Sequence, residues 1–222
     1  MKIGCVLRAG EGGPLFLLGV FGDETDYVSS VFNYVREMCP GKSFTLASFE
    51  ADDWGRDFSP WKAKGCIPGE YFDGGGESTF EWLSGTVNSD FNGGREYDGV
   101  FICGYSLSGL FALWCLYVSP VFDGCACCSG SLWFEGWSEF AESHVLLKKC
   151  LVYLSLGGKE EQSKNAVMAG IGHATRSQDK LLEGDDKVIA HTLVMNPGGH
   201  FASTDKRVAK GIAWLLEQSA KM

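Results

Sequence analysis

Gly104-Tyr105-Ser106-Leu107-Ser108-Gly109-Leu110-Phe111-Ala112-Leu113 is the stretch on which the reading of this chain turns. It follows the apolar run Val100-Phe101-Ile102-Cys103 and opens a segment whose apolar residues recur at helical spacing. A serine at a sharp turn between a buried strand and a helix has the geometry of a nucleophile elbow. The turn demands small residues. The helix start also leaves free N–H groups beside the serine, where a developing oxyanion can be stabilised. The usual spacing is G-x-S-x-G. Here Ser108 stands at the second glycine's position and Gly109 follows it. An ordinary strand-to-helix connection could read the same way, so the rest of the chain must decide.

The partners of such a serine follow it in the order acid, then histidine. Four histidines are present: His144, His173, His191 and His200. His200 lies in Asn196-Pro197-Gly198-Gly199-His200-Phe201, just beyond the apolar run from Val188 to Met195. A loop histidine after a late strand can titrate near neutrality, and two glycines let the backbone bend its ring back toward a site. His191 falls inside a strand, His144 in a helix-to-strand connection and His173 on a helix or its end, all structural placements. The acid is expected after the strand Cys150-Leu151-Val152-Tyr153-Leu154-Ser155-Leu156, which runs into Gly157-Gly158-Lys159-Glu160-Glu161. A carboxylate there can orient the histidine. Glu160 is the choice and Glu161 the alternative; both could instead simply begin a helix. Asp179, Asp185 and Asp186 read as solvated.

With these residues in place, the chain resembles the α/β-hydrolase superfamily, and within it the esterase D-like branch of small serine hydrolases. The resemblance rests on the elbow above, on Ser129-Gly130-Ser131-Leu132-Trp133-Phe134, on Leu156-Gly157-Gly158-Lys159-Glu160, on Gly198-Gly199-His200-Phe201 and on the closing run Arg207 to Leu216. It spans the chain from about Phe16 onward. It departs from that pattern at Ser108 and at Gly158, where some relatives carry an aspartate.

The chain has 222 residues, 45% of them apolar and 21% charged, which suits one folded domain over 1–222 rather than a disordered chain. A net charge of −9 disfavours nucleic acid and anionic membranes as partners. The first residues lack an apolar core with a cleavage site, and no apolar run has a membrane span's length, so neither signal peptide nor membrane is expected. Nine cysteines without an export signal read as reduced thiols in the cytoplasm. Cys125-Ala126-Cys127-Cys128 invites a metal reading, but it has no second ligand pair at zinc spacing. It reads as a buried strand, and no metal or other cofactor is expected.

Strand-like runs near 3–8, 15–21, 43–49, 98–103, 122–128, 150–156 and 188–194 alternate with helices near 26–38, 77–85, 107–118, 136–143, 160–170 or beyond, and 203–219. This predicts an α/β fold, a mostly parallel central sheet with helices on both faces. The first two strands are expected to form an antiparallel edge pair. Ser203 or Thr204 should cap the last helix, whose Val208, Ile212, Leu215 and Leu216 should face the sheet. Residues 50–76 read as one long irregular segment, a lid or binding loop. Trp54 and Trp61 within it, and Trp133 on the serine's rim, are candidates to line a substrate cleft. Oxyanion donors are expected at the Leu107 N–H and at that of Phe21 or Gly22.

These readings converge on a serine hydrolase for a small-molecule carboxylic ester of short acyl or aryl type, using Ser106, Glu160 and His200. An acyltransferase or thioesterase with the same triad, or a non-catalytic binding protein on the same scaffold, are the alternatives. Oligomeric state is left open.

Overall fold

A computed structural model describes residues 1–91 and 97–221. Seven strands form the main sheet: β1 (Lys2–Ala9), β2 (Leu15–Phe21), β3 (Phe44–Ala51), β6 (Val100–Tyr105), β7 (Gly124–Cys128), β8 (Cys150–Gly157) and β9 (Val188–Asn196). Their order is β1-β3-β2-β6-β7-β8-β9, and every neighbouring pair is parallel except β1 with β3. The expected α/β architecture is therefore present, with helices on both faces.

The alternation of side chains along β2 explains the two layers. Phe16, Leu18 and Val20 point into a core with α1 (Thr25–Met38) and α8 (Thr204–Ser219). Leu15 and Leu17 point the other way, into a core that includes α4 (Leu107–Val118) and residues of α3 (Gly76–Thr86), α5 (Trp137–Ser143) and α7 (Ile171–Glu183). Val208, Ile212 and Leu215 of α8 are fully buried. Each contributes about 1.5–3 kcal/mol of burial.

The expected edge pair of the first two strands is corrected. β1 does pair antiparallel, but with β3, while β2 lies between β3 and β6. Leu15 to Val20 are buried on both faces and need a neighbour on each side, whereas the half-exposed β1 tolerates an edge. The segment 50–76 is also more ordered than expected. It contains α2 (Trp54–Asp57) and a hairpin of β4 (Lys62–Lys64) with β5 (Tyr71–Asp73). The helix expected from 160 is instead a tight turn, Glu160–Gln162, then α6 (Ala166–Ala169) and α7. Asn165 caps α6 through its side chain, which accepts from the Val167 and Met168 N–H groups. Ser203 occupies the cap position of α8 but in a left-handed conformation, with no side-chain capping bond, and Thr204 is already helical.

Cys125 and Cys127 enter one core, and Ala126 and Cys128 the other. Burial pushes the Cys128 thiol up to about 12, as befits a packing residue. Among the described residues no helix is long and apolar enough to cross a membrane.

Candidate active site

Ser106 follows β6 directly and precedes the first residue of α4, with φ 58° and ψ −120°. The conformation is costly for a residue with a Cβ. Several bonds hold it. The Ser106 N–H donates to the Cys128 carbonyl at 3.0 Å, and its own carbonyl accepts from Leu110 and Ser131 at 3.1 and 3.0 Å. Ser108, the departure from the common pattern, closes the turn. Its hydroxyl accepts from the Tyr105 N–H and donates to the Tyr105 carbonyl, both at 2.9 Å. Gly104 is required because a Cβ there would lie 2.2 Å from the Ser108 carbonyl oxygen. Ser106→Gly should therefore be more stable than Ser106→Ala by about 1 kcal/mol, since only the glycine relieves the strained φ. Urea unfolding of the two variants checks this; equal midpoints would contradict it.

The three residues expected to act together are in contact. Ser106 Oγ lies 3.1 Å from His200 Nε2, and His200 Nδ1 lies 2.8 Å from Glu160 Oε2. They come from the ends of β6, β8 and β9, at the sheet's C-terminal rim, where open α/β sheets hold ligands. Glu160 and Glu161, left open by sequence, part here. Glu160 points inward and is buried, while Glu161 points out to Arg176 at 2.6 Å. His144, His173 and His191 lie elsewhere: His144 bonds the Phe140 carbonyl, His173 is exposed on α7, and His191 on β9 faces Asp179.

Glu160 is held more fully than sequence suggested. Its Oε1 accepts from the Gly157 N–H at 2.7 Å, Ser129 Oγ at 2.8 Å and Arg207 Nη1 at 3.0 Å. Burial pushes its carboxyl up, but hydrogen bonds from His200, Ser129 and Gly157 outweigh this and hold it below the usual carboxylate range. A carboxyl more acidic folded than unfolded contributes stability above its unfolded value, roughly 4.3, and loses it as pH falls through the lower folded value. The difference in unfolding free energy between wild type and Glu160→Gln should accordingly shrink from about pH 5 to about pH 3. A difference independent of pH in that window would refute the assignment.

Arg207, Tyr105 and Ser129 had not been read as site residues. The Arg207 side chain, on α8, is 2% exposed. Besides Glu160 it donates to Tyr105 Oη at 2.9 Å, and to the Pro197 and Gly199 carbonyls at 3.0 and 2.8 Å. The Tyr105 hydroxyl in turn donates to the His200 carbonyl. One buried guanidinium thus ties the acid to the loop that carries the base. Its signal in the sequence was a charged residue next to Val208 and one turn before Gly211, on the apolar side of the helix.

A cavity of about 630 Å³ opens over Ser106, walled by Tyr27, Trp54, Phe72, Trp133 and Phe201. Trp54 and Trp133, the sequence candidates for a cleft lining, are among its walls. Trp61 does not line this cavity. Its indole N–H donates to the Glu135 carbonyl at 2.9 Å, and its ring packs on Phe134 and Phe140, so it pins the hairpin to the body. Leu107 begins α4, where its N–H has no helical acceptor. Phe21 ends β2, two residues past Gly19, the partner of Gly104, and so comes level with Ser106. The Gly22 N–H is directed at the Ala51 carbonyl, 3.4 Å away.

No protein-family model matches the chain, and no curated protein matches it in sequence. Solved structures do match in fold. A siderophore hydrolase, EstA, from Aspergillus nidulans is 16% identical with a TM-score of 0.69, covering 94% of this chain and 83% of its own. An IroE-like serine hydrolase from Shewanella oneidensis is 16% identical with a TM-score of 0.75, covering 93% of this chain and 71% of its own. A second siderophore hydrolase of Aspergillus nidulans, EstB, is 17% identical with a TM-score of 0.65, covering 93% and 83%. The chain has the α/β-hydrolase fold that these proteins share.

Proposed function

We propose that this chain is a serine hydrolase that cleaves carboxylic esters with short acyl or aryl groups. The carrying observation is the unbroken series Ser106 Oγ, His200 and Glu160, joined at 3.1 and 2.8 Å on the rim of an apolar cleft. In this reading Ser106 Oγ attacks the carbonyl carbon and its proton passes to His200 Nε2. The carbonyl electron pair moves onto oxygen, where the Leu107 and Phe21 N–H groups stabilise it. Phe21 is preferred to Gly22 because the Gly22 N–H is turned to Ala51. Collapse of the intermediate breaks the ester C–O bond, and His200 gives its proton to the departing alkoxide. Water, deprotonated by His200, then releases the acid from the acyl-enzyme. Glu160 keeps the Nδ1–H tautomer of His200 and stabilises the imidazolium. Trp54 and Trp133 contact the substrate; Trp61, outside the cavity, does not. The neighbours' descriptions as serine and siderophore hydrolases agree with ester hydrolysis as a class.

A fluorophosphonate probe, with the adduct located by mass spectrometry, tests the reading. Labelling at Ser106 in wild type, absent from Ser106→Ala, is expected. Folded wild-type protein without an adduct would overturn it.

A further inference from the structure

The walls of the cleft carry charge of one sign. Glu24, which follows β2, and Glu70, in the loop of the β4–β5 hairpin, both line it. Among the described residues lining the cavity there is no lysine or arginine. Arg207, behind the triad, has its donors engaged by Glu160, Tyr105 and two carbonyls, and Arg56 is paired with Asp57. Among the described residues neither carboxylate has a cationic partner. No hydrogen bond or ion pair among the described residues reaches that of Glu24. Among the described residues Glu70 accepts through Oε2 alone, from the Ile67 N–H and the Cys66 thiol. The rings of Trp54, Phe72, Trp133 and Tyr27 line the same cavity. Aromatic faces are electron-rich, and a cation desolvated against them is attracted by the ring quadrupole. Carboxylates beside aromatic faces therefore welcome an ammonium and repel an anion, and the chain's net charge of −9 adds to that bias.

We propose that the cleft selects esters that carry a positive charge, with a primary or quaternary ammonium seated against the aromatic wall in the field of Glu24 and Glu70. The inference rests on the hydrolase reading for turnover, but not for binding. A neutral ester of the same shape enters the same cavity without the electrostatic gain. A carboxylate-bearing ester meets two like charges and, among the described lining residues, no lysine or arginine to compensate them.

Matched nitrophenyl esters decide the first part. One carries a trimethylammonium at the end of a butanoyl chain, one its tert-butyl carbon isostere, and one is the glutarate half-ester. A parallel set of butyrates places the same three groups on the alcohol. In at least one set, kcat/KM should be about 10-fold higher for the cation than for the isostere and about 100-fold higher than for the anion, the preference falling as salt is raised. Glu24→Gln combined with Glu70→Gln should shrink the cation-to-isostere ratio toward one. Turnover without preference in both sets, or an unchanged ratio in the variants, would overturn the inference while leaving the hydrolase reading intact. If no ester is turned over and Ser106 takes no fluorophosphonate, the hydrolase reading fails. Quenching of tryptophan fluorescence in wild-type protein then decides the inference. Phenyltrimethylammonium binding about 10-fold tighter than benzoate upholds it, and equal or weaker binding overturns it.

Discussion

Glu160→Gln should lower kcat about 10⁴-fold on an aryl ester while the protein stays folded. The size follows from how the carboxylate is held. Three donors converge on Oε1: the Gly157 N–H, Ser129 Oγ and Arg207 Nη1. A glutamine must keep its oxygen there, because an amide nitrogen would face the Gly157 and Arg207 N–H donors. Its NH₂ is thereby turned toward His200 Nδ1, where the carboxylate had accepted a bond at 2.8 Å. Nδ1 must then accept, so the neutral ring carries its proton on Nε2, facing Ser106. The base is present, in place, and in the wrong tautomer. Glu161→Gln is the control, since Glu161 pairs with Arg176 at the surface and touches none of these atoms. Steady-state kinetics with thermal unfolding alongside tests the pair. A Glu160→Gln enzyme within about tenfold of wild type would show that Glu160 does not set the histidine's protonation.

Arg207→Met should cost about 3–5 kcal/mol of stability, the penalty for removing one member of a buried, hydrogen-bonded ion pair. The methionine fills much of the volume but supplies no donor. Glu160 loses its buried cation, the Pro197 and Gly199 carbonyls lose theirs, and the Tyr105 hydroxyl loses its donor. The loop from Asn196 to His200 is then released from α8, so activity should fall together with stability. Arg176→Met, at the exposed Glu161 pair, should change stability by less than about 1 kcal/mol. Chemical denaturation of both variants reads the contrast; similar costs at the two sites would mean that the buried network adds nothing.

The main strands and most helices were legible because each is written in local periodicity. Fully apolar runs such as Leu15 to Val20 announce a strand buried on both faces, and Val208, Ile212 and Leu215 announce the sheet-facing side of a helix. Ser106 and His200 were legible too, since a strand followed by a small-residue turn leaves few conformations open. The short hairpin in 50–76 was not legible. Three-residue strands carry almost no period, and what fixes this pair is distant: Glu135 accepts from the Trp61 indole and the Lys64 N–H.

By itself the sequence determined the layered α/β architecture, the serine's turn and the chain order of the candidate triad. Only the tertiary structure brings Glu160 to His200 and turns Glu161 to Arg176. In a turn with three residues to the cycle, neighbouring side chains diverge, and the phase is set by Gly157, Ser129 and Arg207, the last 47 residues away. Only the tertiary structure placed β1 beside β3, took Trp61 out of the cleft and put a buried arginine behind the acid. Each of these depends on contacts between segments far apart in the chain. A pattern of local periods records which residues must be buried, but not which partner they will meet.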